Sequence, residues 1–366
     1  MSEPTSDENK AHEEKVSGDL QPEAGSSEMS ISAKPPRRWL RWILLFSFVF
    51  LIVSTSLLGG GYFYVRDKFT ERGPAAEDQI FMLERGKGLI TIARELEREH
   101  LISDQRIFRW ALQLLERGAG LKAGEYLIPS GASMAEIALI LEQGKSILHK
   151  LTIAEGLTSF EIMALVEADP VLEGELPELP AEGTLLPETY LFTRGMTRAE
   201  LVDQMRRAHE DVVNRLWDTR AEGLPITTRE EAVILASIVE KETGLAAERP
   251  RVAAVFVNRL KIPMRLQSDP TIIYGITEGK GPLGRPIRRS EIDRKTAYNT
   301  YQIDGLPPTP IANPGEAALA AVLNPPQTRD LYFVADGTGG HAFATSLAEH
   351  QRNVAKWRRI ERARRQ

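Results

Sequence analysis

The segment 229–242, REEAVILASIVEKE, ends in two carboxylates, Glu240 and Glu242, and between Ala232 and Val239 its one polar residue is Ser237. A helix that is apolar on most sides is buried. Glu240 follows one turn after Ala236 and two turns after Val233, so its carboxylate shares a face with small and apolar side chains. Withdrawal from water disfavours the charged form, and the negative end of the helix dipole adds roughly 0.3–1 kcal/mol in the same direction. A carboxyl kept protonated near neutral pH is what a general acid needs. Lys241 opposes this where its ammonium lies close. Helical phase leaves two alternatives open. A Glu marking the solvated end of a core helix fits the phase better than a catalytic one, and phase does not separate Glu240 from Glu242, which follows Leu235 and Ile238.

Other chemistries find less support. The chain contains no cysteine, which excludes disulfides, thiolate metal sites and cysteine nucleophiles. His341 and His350 are nine apart with Asp336 nearby, which is no zinc-binding spacing, so no metal and no cofactor is expected. His341 reads instead as part of the fold of its Gly-rich turn, or as a group behind the site. A Gly-rich phosphate loop and a nucleophile elbow are both missing from the sequence. With 46 Lys and Arg against 51 Asp and Glu, the net charge of −5 argues against nucleic acid as a partner.

The elements that must position these residues are laid out along 366 residues, enough for two or more folded units. Residues 42–65 carry no charge and exceed the roughly 20 residues that span hydrocarbon. Trp39 and Trp42 before, and Tyr62 and Tyr64 after, suit the two interfaces. Lys34, Arg37, Arg38 and Arg41 precede the span, so the N-terminus is expected in the cytoplasm and the rest outside a cell inner (plasma) membrane, or periplasmic. Three stretches then repeat one pattern: a short apolar run, a glycine (Gly86, Gly131, Gly156), and apolar residues six and ten positions on. Capping boxes predict helices after Ser133 (with Glu136), Thr158 (Glu161), Thr197 (Glu200) and Thr228 (Glu231). The expected fold class is α+β. Its parts are a disordered cytoplasmic tail (1–38), a single transmembrane helix (39–65), a linker (66–78), a small βααβ subdomain (79–146), a larger mixed α+β catalytic domain (147–357) and a basic tail (358–366). The pattern over 80–144 resembles the glycan-binding LysM module.

Longer motifs narrow the reading. IVEKET (238–243), VFVNRL (255–260), MRLQSDPTIIYG (264–275), AYNTYQIDGLPPTPIANPG (297–315) and LYFVADGTGGHAF (331–343) resemble the endolytic murein transglycosylase family, MltG or YceG-like. EGTLLPETYLF (182–192) is similar to that family's "EG-L-PDTY" segment, with Leu186 where Phe is usual and Glu188 where Asp is usual. The resemblance puts the catalytic Glu at Glu240. It implies cleavage of the β-1,4 bond between N-acetylmuramic acid and N-acetylglucosamine in nascent peptidoglycan, leaving a 1,6-anhydromuramoyl end. It also implies Gln267, Ser268 and Asp269 as groups for sugar hydroxyls or acetamides. Tyr298, Asn299, Thr300 and Tyr301 offer ring faces and hydrogen-bonding groups suited to carbohydrate, with turn-building an equal explanation for each. Glu188 is the candidate second carboxylate near the cleft. The partners implied are peptidoglycan glycan strands, the membrane through a single-pass anchor, and membrane-bound peptidoglycan polymerases. A wall-binding scaffold that does not cut is the rival.

Overall fold

The structure is a computed structural model that describes residues 38–117 and 120–365. The tail expected over 1–38 therefore lies outside the described residues apart from its last position. The chain forms a first unit ending at Phe63 and a second beginning at Tyr64. Helix α1 covers Arg38–Thr70, and its Arg41–Thr70 portion is long and apolar enough to cross a membrane. Side chains such as Phe46, Phe50, Leu57 and Leu58 are exposed along it. The segment expected as a linker, 66–78, is helical up to Thr70. Arg66, Asp67 and Lys68 do not interrupt a helix, and Phe69 is buried in the first core of the second unit.

That core is built from β1 (Gln79–Leu83), α2 (Leu89–Arg98), α3 (Gln105–Leu114), β2 (Gly124–Ile128) and α4 (Met134–Gln143). Strands β1 and β2 are antiparallel, pairing Gln79 with Ile128 and Leu83 with Gly124. A lone hairpin is marginal in water and needs a packed face. Here Phe81, Tyr126 and Ile128 meet Ile92, Leu96, Phe108 and Ile137. Gly86, Gly131 and Gly156, the repeating glycines, all take positive φ (82°, 68° and 77°), which turns each strand into its helix without strain.

A second core gathers β3 (His149–Thr152), α5 (Ser159–Ala168), β4 (Thr189–Phe192) and the first half of α6 (Arg198–Asp218), around Ile162, Leu185, Tyr190 and Met205. The third and largest core packs α7 (Arg229–Glu242), α8 (Arg249–Lys261) and α11 (Glu316–Leu323) around Leu235, Val239, Phe256 and Leu319. Between them run α9 (Asp269–Thr277) and α10 (Arg289–Ile292), and the chain closes with β5 (Tyr332–Ala335), β6 (His341–Ala344) and α12 (Leu347–Arg365). The fold is thus mixed α+β with three two-stranded antiparallel sheets among the described residues. Two details refine the expected layout. The region 147–357 holds two apolar cores, because the β3–β4 hairpin buries its inner face on α5 and α6 while α7 is wrapped by α8 and α11. The boundary at 357 falls inside α12, whose basic end continues the same helix.

Candidate active site

Helix α7 starts where the capping box places it: the Thr228 hydroxyl accepts the Glu231 N–H (3.1 Å), and the Glu231 carboxylate accepts the N–H groups of Thr227 and Thr228. Its apolar run is buried throughout. Ser237 is not idle within it. Its hydroxyl donates to the Ile234 carbonyl (2.7 Å) and accepts the Ile311 N–H (3.0 Å), tying the segment 310–315 to the helix. That segment ends at Gly315, which caps the N-terminus of α11.

Glu240 points into the junction so formed, its side chain 3% exposed. One carboxylate oxygen accepts the Gly315 N–H at 3.0 Å and the other accepts Arg249 Nη2 at 3.0 Å. The same Nη2 donates to Glu155 (3.1 Å). Burial is the largest influence and pushes the Glu240 carboxyl above the usual carboxylate range. The Gly315 N–H and the Arg249 guanidinium pull it down, and the Glu155 charge pushes it up again. Lys241 turns away to the Gly156 carbonyl (3.0 Å). Glycine is needed at 315 for space, not conformation: its φ is −74°, but a Cβ would collide with the Glu155 carboxylate. Gly156 similarly lies against the Glu240 side chain, where a Cβ would stand 3.4 Å from Cγ.

Two residues further, Glu242 occupies a different environment. It accepts the Ser268 hydroxyl at 2.5 Å, and burial raises its carboxyl too, with the nearby Asp269 charge adding to the effect. Elevation of the pKa therefore does not by itself choose between the two carboxyls. What separates them is the anion-holding pair, Gly315 N–H and Arg249, which only Glu240 has among the described residues.

The expected sugar-binding residues divide in two. Ser268 is fully buried and committed to Glu242 and to Thr300, whose hydroxyl accepts the Ser268 N–H. Asn299 is 1% exposed, and its amide donates to the carbonyls of Glu291, Ile292 and Arg294 while its oxygen accepts the Tyr301 N–H. These groups build turns. Gln267 is exposed, with φ at 53°; Tyr301 donates its hydroxyl to Asp269 (2.7 Å), and Tyr298 meets Thr309 (2.6 Å) and the Tyr274 ring (5.0 Å).

Glu188 shares no hydrogen bond with Glu240, Glu155 or Arg249 among the described residues. It is exposed, with its carboxylate beside the Thr189 N–H, because β4 begins there and turns the side chain outward. The carboxylate beside Glu240 is Glu155, and the half-buried carboxyl of 182–192 is Glu182, which accepts from the Ser159 N–H (2.8 Å) and Asn313 Nδ2 (3.0 Å). Burial raises the Glu182 carboxyl. Sequence reading passed over Glu155, Arg249 and Asn313. A faint signal existed for Glu155, in the Glu-Gly-Leu-Thr turn before the α5 capping box. His341 pairs with Glu248 through Nδ1 (2.7 Å) while His350 stacks on Tyr332 (5.0 Å), so the two histidines serve separate contacts. A 410 Å³ cavity lined by Glu182, Gly183, His209, Val233 and Pro310 lies further back along α7 and does not include Glu240.

Residues 81–356 match the YceG-like family. A Streptococcus pneumoniae serotype 2 protein named endolytic murein transglycosylase is 28% identical over 84% of this chain and 64% of its own length, so the chain spans just under two thirds of that relative. A Bacillus subtilis protein of the same name is 25% identical over 82% of this chain and 91% of its own. A crystal structure of a yceG-like protein from Listeria monocytogenes is 26% identical, covers 76% of this chain and 99% of that one, and gives a TM-score of 0.46.

Proposed function

The chain belongs to the YceG-like family, and from that premise we propose that it is a lytic transglycosylase cutting the β-1,4 bond between N-acetylmuramic acid and N-acetylglucosamine within peptidoglycan strands. The observation that carries the reading is the Glu240 carboxyl, buried at the end of an apolar helix between a helix N-terminal N–H and a guanidinium. Relatives named endolytic murein transglycosylase support the substrate.

Glu240, protonated, gives its proton to the glycosidic oxygen as the bond to C1 of the muramic acid breaks. The C6 hydroxyl of the same sugar then bonds to C1, and the Glu240 carboxylate takes the hydroxyl proton. Glu240 ends as it began, and no water is consumed. A glycosidase using water pairs its acid with a second carboxylate. Here the tethered hydroxyl replaces that water, so its attack is effectively unimolecular. The Gly315 N–H holds the carboxylate that exists between the two proton transfers. Of the expected sugar contacts, Gln267, Asp269, Tyr298 and Tyr301 retain surface for a glycan, whereas Ser268 and Asn299 act through the turns they build. The anchor would hold the domain outside the inner membrane with the N-terminus in the cytoplasm. The LysM-like unit over 79–146 would bind glycan, and membrane-bound polymerases would supply the strands.

Mass spectrometry of glycan treated with the detergent-solubilised full chain tests this. Wild type should release anhydro-ended fragments, and Glu240→Gln should lose about 100-fold or more, the share a general acid commonly contributes. Glu242→Gln should lose far less. Cleavage kept by Glu240→Gln but lost by Glu242→Gln would refute the assignment, and bound but uncut strands would make the protein a scaffold.

A further inference from the structure

If Glu240 is the acid, one feature of its surroundings stands in the way of its work. Its side chain is 3% exposed and Arg249, bonded to it, is 8% exposed, so a glycosidic oxygen meets the carboxyl only once this pair opens. Arg249 must give way. Its Nη2 already divides itself between Glu240 (3.0 Å) and Glu155 (3.1 Å), while its buried Nε has no hydrogen-bond partner among the described residues. Glu155 is 42% exposed, the outermost member of the trio.

The position of Glu155 is built rather than incidental. An exposed ion pair on a mobile arm is worth little. This one rises from backbone zipped to the α11 N-terminus: the Gly156 N–H donates to the Asn313 carbonyl (3.0 Å) and the Asn313 N–H to the Leu157 carbonyl (2.8 Å). Gly315, which holds Glu240, is the residue whose missing side chain makes room for the Glu155 carboxylate. The charged groups facing Glu240 are Glu155 from the β3–α5 turn and Arg249 from α8, with the Gly315 N–H dipole from α11. Lys241 on its own helix faces Gly156 instead.

We propose that Glu155 is a positioning residue, the second acceptor that draws the Arg249 guanidinium off Glu240 when a glycan enters. A small rotation of the guanidinium toward Glu155 gives up the bond to Glu240 and keeps the charge-assisted one to Glu155, so the cation is never left unpaired in a buried setting. Glu240 is uncovered without that cost. The Glu155 charge also favours the protonated form of Glu240, in line with the upward push noted above. This inference rests on Glu240 being the acid.

The test is the pH profile of fragment release by the full chain in detergent, for wild type, Glu155→Gln, Glu155→Asp and Glu240→Gln. Without the Glu155 charge, Arg249 stays on Glu240 and stabilises its carboxylate. The alkaline limb of the profile should then move to lower pH. Each whole pH unit of movement lowers the protonated fraction above the limb about tenfold. In Glu155→Gln, kcat at neutral pH should fall about tenfold with KM within about twofold, the pattern of a lost transition-state contribution. Glu155→Asp keeps the charge on a shorter arm and should fall between, which also carries the test if the Gln chain does not fold. A Gln profile superimposed on wild type overturns the role of Glu155 and leaves Glu240 standing. A loss equal at every pH that Asp does not relieve overturns it as well, since packing alone would explain that. Cleavage retained by Glu240→Gln overturns both readings.

Discussion

Burial raises both Glu240 and Glu242, yet the first is held by Gly315 and Arg249 and the second by a serine hydroxyl. The difference at the residue scale is therefore not how much water each has lost but which state its neighbours can hold. A group that must both release and recover a proton benefits from donors that hold the anion it passes through, and Glu240 has the Gly315 N–H and, at rest, Arg249. Gly315 offers a sharp check because its φ of −74° suits any residue and only space forbids a side chain. Gly315→Ala should displace the Glu155 carboxylate and cost about 1 kcal/mol, the low end of overpacking, because the half-exposed Glu155 side chain can move aside. Urea unfolding of the full chain in detergent would measure it. The pH profile of this variant should move in the same direction as that of Glu155→Gln. A variant with unchanged stability and profile would show that the Glu155 placement is soft.

Local signals account for the part of the fold that the sequence made legible. All four predicted capping boxes form, because each joins residues only three apart on one helical turn. Thr228→Ala removes the acceptor for the Glu231 N–H at the start of α7. Its cost should be near or below about 1 kcal/mol, since the Glu231 carboxylate keeps its bonds to the Thr227 N–H and hydroxyl. Denaturant unfolding should show that loss, while cleavage at 25 °C stays within about twofold because Glu240 is at the other end of the helix. A large loss of activity would mean that the helix start is coupled to the site. The site itself was only partly legible. Phase nominated Glu240 and Glu242, but the residues that distinguish them arrive from far away: Glu155 meets Arg249 across 94 positions and Gly315 meets Glu240 across 75. No periodicity reports a contact of that span. Glu188 was preferred over Glu182 for the same reason. Which carboxyl of one segment turns inward depends on where β4 begins, and that is set by its pairing with β3.

On the scale of the whole molecule, an apolar helix and three cores were assembled from a chain that read as an anchor with two folded parts. Within 147–357, α6 serves the second core at one end and the third at the other: Met205 is in the former, Leu216 in the latter. On this helix His209 is 7% exposed, and its Nε2 has no partner among the described residues. Burial lowers its pKa from 6.5 to about 4. Above pH 6.5 neither the folded nor the unfolded chain protonates it. As pH falls from 6.5 toward 4 the unfolded chain gains a proton that the folded one refuses, so stability present at neutral pH is lost, by up to about 3 kcal/mol. Melting curves at pH 7.5 and 4.5 should show a smaller acid-induced drop in His209→Leu than in wild type, and equal drops would place the acid sensitivity elsewhere. A last consequence belongs to Asn313. Fully buried, it receives the Leu185 N–H on its side-chain oxygen and donates to Leu157, Ser159 and Glu182, partners 128 to 156 residues earlier in the chain. Contacts of such separation close last, because loop entropy must be overcome before they add anything. During synthesis the two earlier segments, at 157–159 and 182–185, therefore wait with these polar groups unmatched until residue 313 leaves the ribosome. The surroundings of Glu240, which include the Gly315 N–H, therefore take shape only after the segment 310–315 has been made.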